Sequence, residues 1–177
     1  YEINSIKNKL SLVYLEMGDS ILAESYQLDA NNFFEQEDDL YSLAIGYQQL
    51  ALIYSEFNNS NSALHYLEKA FNIAEKENFH RIAYEVQKDI GRKYLYDSLK
   101  FNKAKSHFKI ASEIAKTNNI EYAIHQIKIF LARAEIELLN FDSALNRISA
   151  IDTNIIADSL LFQRTKSKIL AKKGNYK

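Results

Sequence analysis

Apolar residues recur along this chain at helical spacing. Tyr47, Leu50, Ala51 and Tyr54 stand at i, i+3, i+4 and i+7, which puts them on one stripe of a helix. Ala63, Leu67, Ala70 and Ala74 make a second stripe, and the polar run Asn58-Asn59-Ser60-Asn61 separates the two. The unit predicted is therefore a pair of helices joined by a tight turn. The same order of large, small and aromatic positions returns in Gln87-Lys88-Asp89-Ile90-Gly91-Arg92-Lys93-Tyr94. The second run returns as Lys103-Ala104 through Phe108 to Ala111, as Ser143-Ala144 through Ile148 to Ile151, and more loosely as Leu22-Ala23 through Tyr26 to Ala30. The marker alanines Ala23, Ala63, Ala104 and Ala144 are spaced 40, 41 and 40 residues apart. A fixed period of this size is the signature of stacked supersecondary units.

The turns carry their own punctuation: Gly18-Asp19, Asn58 to Asn61, Asn102, and Asn140-Phe141-Asp142. Asp19, Asn61, Asn102 and Asp142 are expected to cap the second helices. Asn78 and Asn119 fall where a second helix should end, and asparagine tolerates the left-handed backbone used there. Small residues mark close approaches between helices: Ala51, Gly91 and Ala132 on first helices, Ala63, Ala104 and Ala144 on second ones. Gly91 is the most informative, since glycine inside a helix costs about 1 kcal/mol against alanine and asks for a packing contact in return. Tyr47, Tyr54, Phe71, Tyr94 and Phe108 are expected to fill the space between neighbouring helices.

The pattern resembles the tetratricopeptide repeat family, whose first helix carries a large residue, Leu, a small residue and Tyr, and whose second carries Ala, a large residue and Ala. The best match is Tyr47, Leu50, Ala51, Tyr54, Ala63, Leu67 and Ala70. The resemblance implies an all-α fold, a right-handed superhelix of antiparallel helix pairs. It divides the chain into units 1–39, 40–79, 80–120, 121–156 and a partial fifth, 157–177, in which Gly174-Asn175-Tyr176 resembles an inter-helix turn. Family repeats most often have 34 residues and a closing proline. This period of about 40 without proline is closer to the long-helix repeats of some bacterial regulators and motor-adaptor proteins. Lys7 and Gln27 in the first unit, and Lys128 and Glu135 in the fourth, stand where large apolar residues are usual, and Ile151 replaces the last alanine.

Composition narrows the picture further. The 177 residues include 4 glycines, no proline and no cysteine, too few turn residues for a β-sandwich and none for a disulfide or thiolate metal site. The 22 basic and 23 acidic residues leave a net charge of −1, which argues against a nucleic-acid surface. No apolar run is long enough to cross a bilayer. Absence of cysteine fits cytoplasm and periplasm alike. The chain opens at Tyr1 inside a predicted helix, so a piece of a longer protein is expected; its richness in Asn, Ile, Lys and Tyr would suit an AT-rich bacterial genome.

Catalytic patterns are missing: no glycine-rich phosphate loop, no HExxH and no paired-histidine spacing. His65 and His107 read as exposed repeat surface, and the acidic run Glu35, Glu37, Asp38 and Asp39 as a solvated loop. No enzyme activity, cofactor or metal is expected. In the family the concave face is lined mainly by first helices, so first-helix residues off the core stripe become candidate groove residues. These are Asn8 and Leu12 in the first unit, Gln48, Leu52 and Glu56 in the second, Lys88, Arg92 and Tyr96 in the third, and Ile129, Arg133 and Glu137 in the fourth. Arg92 and Arg133 each follow the small packing residue of their helix, and two guanidiniums facing one groove would hold a carboxylate or an acidic peptide side chain. The alternative is that they pair with Glu56, Glu137 or neighbouring acids. Chaperone-tail binders of the family use a clamp of Lys, Asn, Asn, Lys and Arg; the matching places here hold Asn8, Leu12, Gln49, Glu85 and Asp89, so that ligand is not implied.

The expected function is protein or peptide binding, as the sensory or assembly region of a larger bacterial signalling or transcriptional regulator. The alternatives are a self-assembly scaffold or a rigid appendage to an enzyme elsewhere in the parent. Leu160, Leu161, Ile169 and Leu170 on the last helix are expected to lie uncovered and to support an end-to-end homodimer.

Overall fold

A computed structural model describes residues 2–151 and 160–175. Among the described residues there are nine helices and no strand. They are α1 (Glu2–Glu16), α2 (Ser20–Gln36), α3 (Leu40–Glu56), α4 (Ser60–Lys76), α5 (His80–Tyr96), α6 (Phe101–Thr117), α7 (Glu121–Glu137), α8 (Phe141–Ser149) and α9 (Leu160–Asn175). The fold is all-α, built of consecutive antiparallel helices, as the repeat pattern predicts. The boundary expected between residues 156 and 157 lies outside the described residues.

Six helices, α2 to α7, have 17 residues each, and the linkers between them are three or four residues long. One backbone device makes each reversal from α1 to α8. Gly18, Asp38, Asn58, Asn78, Leu99, Asn119 and Leu139 all take positive φ, between 51° and 82°. Except for one extra residue at Leu99, they stand 20 apart, half the period of the sequence pattern. In most of them the left-handed residue donates to the carbonyl three back and its successor to the carbonyl five back, as in Asp38 to Glu35 (3.3 Å) and Asp39 to Phe34 (2.9 Å). That is the Schellman arrangement, which satisfies the orphan carbonyls of a helix end. The successor then serves as N-cap of the next helix, so one short linker both stops a helix and starts the next.

Of the six expected turn and cap positions, three hold and three shift. Asp19 caps α2 by accepting from the Leu22 N–H at 3.0 Å. Asn59, not Asn61, caps α4, accepting from Ser62 N–H, and Asp39 does the same for α3 through Ser42. Lys100 and Asn140, not Asn102 and Asp142, occupy the cap positions of α6 and α8, without a side-chain bond. The cap must directly follow the left-handed residue, two places earlier than the pattern alone placed it. Asn78 and Asn119 are left-handed as expected.

The chain divides into two compact units, residues 1–86 and 87–177, with α5 running through the division. In the first unit α1 packs on α2, α2 on α3 and α3 on α4. Ala23 and Ala63 are fully buried there, and Tyr14, Tyr47, Tyr54 and Tyr66 pack around Ala23, Leu50 and Ile53. Tyr54 and Tyr66 stack at 5.3 Å, Tyr47 and Tyr66 at 5.8 Å.

In the second unit α6 packs on α7, α7 on α8, and α9 on both α7 and α8. Ala104 and Ala144 are again fully buried. A Cβ on Gly91 would stand 2.4 Å from the Phe108 ring, so the expected close contact is present. Phe108 is completely buried and stacks on Phe130 at 5.4 Å; burying a side chain of this size contributes roughly 1.5–3 kcal/mol.

The last helix departs from expectation. Ile169 is fully buried, Leu161 is half-buried, and with Phe162 they join Ile129, Ile136 and Ile148 in one core. Only Leu160 and Leu170 of the four named residues are exposed. The reason is that α9 folds back on α7 and α8 and spends its apolar side there. Gly174 and Asn175 lie in the last turn of α9, not in a linker, and Tyr176 is outside the described residues.

Candidate functional site

In the first unit Leu52 and Glu56 are exposed, while Asn8, Leu12 and Gln48 are half-buried. Asn8 is turned inward: its Oδ1 accepts from Gln27 Nε2 at 2.8 Å. The same amide donates to Asn31 Oδ1 at 2.9 Å. Gln27 and Asn31 are buried, and Gln27 Oε1 and Asn31 Nδ2 have no hydrogen-bond partner among the described residues. A Cβ on Gly46 would lie 1.9 Å from Asn31 Oδ1, so glycine makes room for this amide group. The polar residue at an ordinarily apolar position is thus part of a buried network. Lys7, the other such residue, bridges to Asp29 at 2.8 Å. The Tyr54 hydroxyl donates to the Glu24 carboxylate, and that bond, then burial, raises its pKa.

The second unit holds Lys88, Arg92, Tyr96, Ile129, Arg133 and Glu137, and it separates them. Ile129 is 1% exposed and cannot line a surface. It lies with Ala132, Ile136 and Phe162 in the core made when α9 lands on α7. Arg92 is exposed, pairs with Asp89 at 3.2 Å and lies over the Phe130 ring at 5.9 Å. Arg133 is half-buried, with its guanidinium 5.1 Å over the Tyr96 ring. Glu137, one turn further along α7, is taken by Lys168 and, at 3.7 Å, by Lys172, both from α9. No carboxylate pairs with Arg133 among the described residues.

Electrostatics confirm that these groups share one neighbourhood. Burial raises the Tyr96 hydroxyl above its ordinary pKa; Arg133 and Arg92 pull it part of the way back, and Glu137 pushes it up. Burial also pushes the Glu137 carboxyl up, but Lys168 and Lys172 outweigh it and hold it below the usual carboxylate range. Arg92, Tyr96, Arg133 and Glu137 are therefore brought together, a face of two guanidiniums on aromatic rings.

Two features of this unit escape the sequence pattern. Glu135, at an ordinarily apolar position, is 1% exposed. Arg147 grips it with both ends, Nη2 to Oε1 at 2.8 Å and Nε to Oε2 at 3.1 Å, and Lys105 adds a contact at 3.2 Å. Burial pushes that carboxyl up, yet Arg147, Lys105 and Ser143 hold it below its ordinary value. His107 is half-buried, its Nδ1 2.8 Å from Gln87 Oε1 and its ring stacked on Tyr94 at 5.3 Å, whereas His65 is exposed as expected. Among the described residues no three His, Cys, Asp or Glu side chains converge as metal ligands would.

The near-zero net charge conceals an asymmetry. Residues 1–86 carry 14 acidic and 5 basic side chains, and residues 87–177 carry 9 acidic and 17 basic. The units thus have net charges of −9 and +8. Counting charge by half of the chain, and not over its whole length, is the signal that finds this.

No curated protein matches the sequence. Solved structures do. A signal-transduction ATPase with a tetratricopeptide repeat sensor from Pyrococcus horikoshii superposes with a TM-score of 0.77 at 21% identity, over 93% of this chain and 25% of that one. Aspartyl phosphate phosphatase F from Bacillus subtilis gives 0.87 at 19% identity, over 99% of this chain and 47% of that one. The chain therefore spans half or less of the length of either protein, and what it shares with them is the fold. Residues 2–76 match the family model for the tetratricopeptide repeat. Over residues 2–76 the chain therefore matches the tetratricopeptide repeat, and the same helix-turn step of 20 residues carries on through α8.

Proposed function

We propose that this chain binds a protein or peptide ligand and that the face formed by Arg92, Tyr96 and Arg133 receives an acidic side chain of it. Tetratricopeptide repeats are protein-interaction modules, and the repeats here act without chemistry of their own. The observation that carries the reading is Arg133: a half-buried guanidinium parked on Tyr96, with the nearby Glu137 already committed to α9. A half-buried, preoriented guanidinium binds a carboxylate in two-pronged geometry at little entropic cost. The +8 charge of residues 87–177 would also speed the encounter with an acidic partner. Leu52 and Glu56 offer a separate exposed surface in the first unit.

The chain serves as the sensory or assembly region of a larger signalling or transcriptional regulator. The likeness to a protein with a repeat sensor, of which the matching part is a quarter, supports this reading. The test is a peptide array of random sequence probed with the wild-type chain and with Arg92→Gln/Arg133→Gln. Wild type should retain peptides enriched in Asp and Glu, and the variant should lose that enrichment. Equal retention of the same peptides by both would remove this face as the binding site.

A further inference from the structure

The outer side of α1 is apolar, and among the described residues nothing packs on it. Ile3, Ile6, Val13 and Met17 are 71%, 54%, 48% and 72% exposed, with the half-buried Leu10 between them. Their spacing, 3-4-3-4, is the seam that one helix offers another in two-helix packing. Single exposed apolar residues are ordinary, but four in register along one helix, with Met17 continuing the spacing just past its end, are not. The side of α1 that faces α2 carries Lys7 to Asp29 and Asn8 to Gln27, so this seam is surplus to the chain's own packing.

A matching seam lies on α9. Leu160, Gln163, Ser167, Leu170 and Gly174 repeat the 3-4-3-4 spacing and are all exposed. Leu160 and Leu170 are the seam's large apolar residues, and Gln163, Ser167 and Gly174 are small or amide, which lets a second helix come close. α9 has five cations and no acid. Lys168, Lys172 and Lys173 are tied to Glu137 and Asp142, while Arg164 and Lys166 have no acidic partner among the described residues. The α1 end carries the opposite sign: residues 2–36 hold six acids, among them Glu2, Glu16 and Asp19, against Lys7 and Lys9.

From matched seams and opposed charge we infer that α1 is the seat for a second copy of this chain, which docks through its α9. Seat and tail are different surfaces, so each copy carries one of each and copies join head to tail. Arg164 and Lys166 of the incoming helix face the acids around α1. Lys9 is the one exposed cation of α1 and works against the contact. This inference is independent of the acidic-ligand face, whose residues lie on α5 and α7.

The experiment is sedimentation velocity of the full 177-residue chain from micromolar to several hundred micromolar, at low and high salt. Three variants accompany it: Ile6→Glu/Met17→Glu in the seat, Arg164→Glu/Lys166→Glu in the tail, and Lys9→Glu. All the altered positions are exposed, and circular dichroism checks that each variant keeps its helices. Wild type should form a concentration-dependent series that weakens at least tenfold in high salt. Seat and tail variants should each be monomeric alone, and Lys9→Glu should associate more tightly. Mixed, the seat variant and the tail variant should form a 1:1 pair and nothing larger, since each supplies the surface the other lacks. A wild-type chain that stays monomeric overturns the inference. So does association that survives the tail variant, which would mean that α1 pairs with α1 in a symmetric dimer.

Discussion

Gly91→Ala asks whether the helices nest as closely as the small residues imply. On an exposed helix the change would add stability, about 1 kcal/mol, by the ordinary helix propensities. At Gly91 the new methyl would sit 2.4 and 2.6 Å from two carbons of the Phe108 ring. No real methyl approaches a ring so closely, and the ring cannot swing away, because Phe108 is fully buried and held against Phe130 at 5.4 Å. Helix α6 must move off α5, and overpacking of this kind costs typically 1–3 kcal/mol. With the propensity gain set against the upper part of that range, the net is a loss of about 1–2 kcal/mol. In a chain of this size that lowers the melting temperature by roughly 2–8 °C. Gly174→Ala is the control: it lies in α9 with nothing within 4 Å of the added carbon, and should be neutral or stabilising by up to about 1 kcal/mol. The assay is urea unfolding followed by circular dichroism, with amide exchange of α5 and α6 to localise the loss. The double variant Gly91→Ala/Phe108→Leu should recover part of it. A Gly91→Ala chain as stable as wild type, or more so, with unchanged exchange in α5 and α6, would refute the reasoning.

Three further outcomes follow from particular contacts. Glu135→Gln leaves Arg147 and Lys105 facing a neutral amide and should destabilise the chain by about 3 kcal/mol, the scale for breaking one side of a buried pair, read by chemical unfolding at neutral pH. Because the folded pKa of Glu135 lies below its ordinary 4.5, its contribution is complete above that value and is lost as pH falls through the lower folded value; wild type should therefore lose stability below about pH 4.5 more steeply than Glu135→Gln in an acid unfolding series. Leu139→Gly should raise stability by about 1 kcal/mol, since the residue is 55% exposed and its φ of 61° strains any side chain but costs glycine little; a drop in melting temperature would contradict this.

Much of the architecture is readable in residue types. Alanine at 23, 63, 104 and 144, and glycine at 91, mark places where helices touch, because only a small side chain permits the distance. The turns are half readable. Gly18, Asp38, Asn58, Asn78 and Asn119 are residues that tolerate a left-handed backbone, but Leu99 and Leu139 adopt it only because the repeat fixes the linker geometry around them. That same geometry, and not the local preference for Asn or Asp, decides that Asn59 caps α4 in place of Asn61.

The site is less legible than the fold. Counting offsets along α7 treats Ile129 and Arg133 as equals, since they are one turn apart. α6, α8 and α9 all pack on α7, and the side where α9 lands buries Ile129 and leaves Arg133 half-open. Nothing in the local pattern announces that α9 folds back, nor that its lysines take Glu137 from Arg133. Asn8 is similar: its position on α1 reads as surface, and a glutamine 19 residues away draws it inward.

The reading of Arg92, Tyr96 and Arg133 as the ligand face is tested most directly by an NMR titration of the whole chain with the best acidic peptide from the array. Side-chain Nε–H signals of Arg92 and Arg133 and the ring signals of Tyr96 should move together and saturate with one affinity. Saturation with those three unmoved, and with the shifts confined to α1 through α4, would contradict the account.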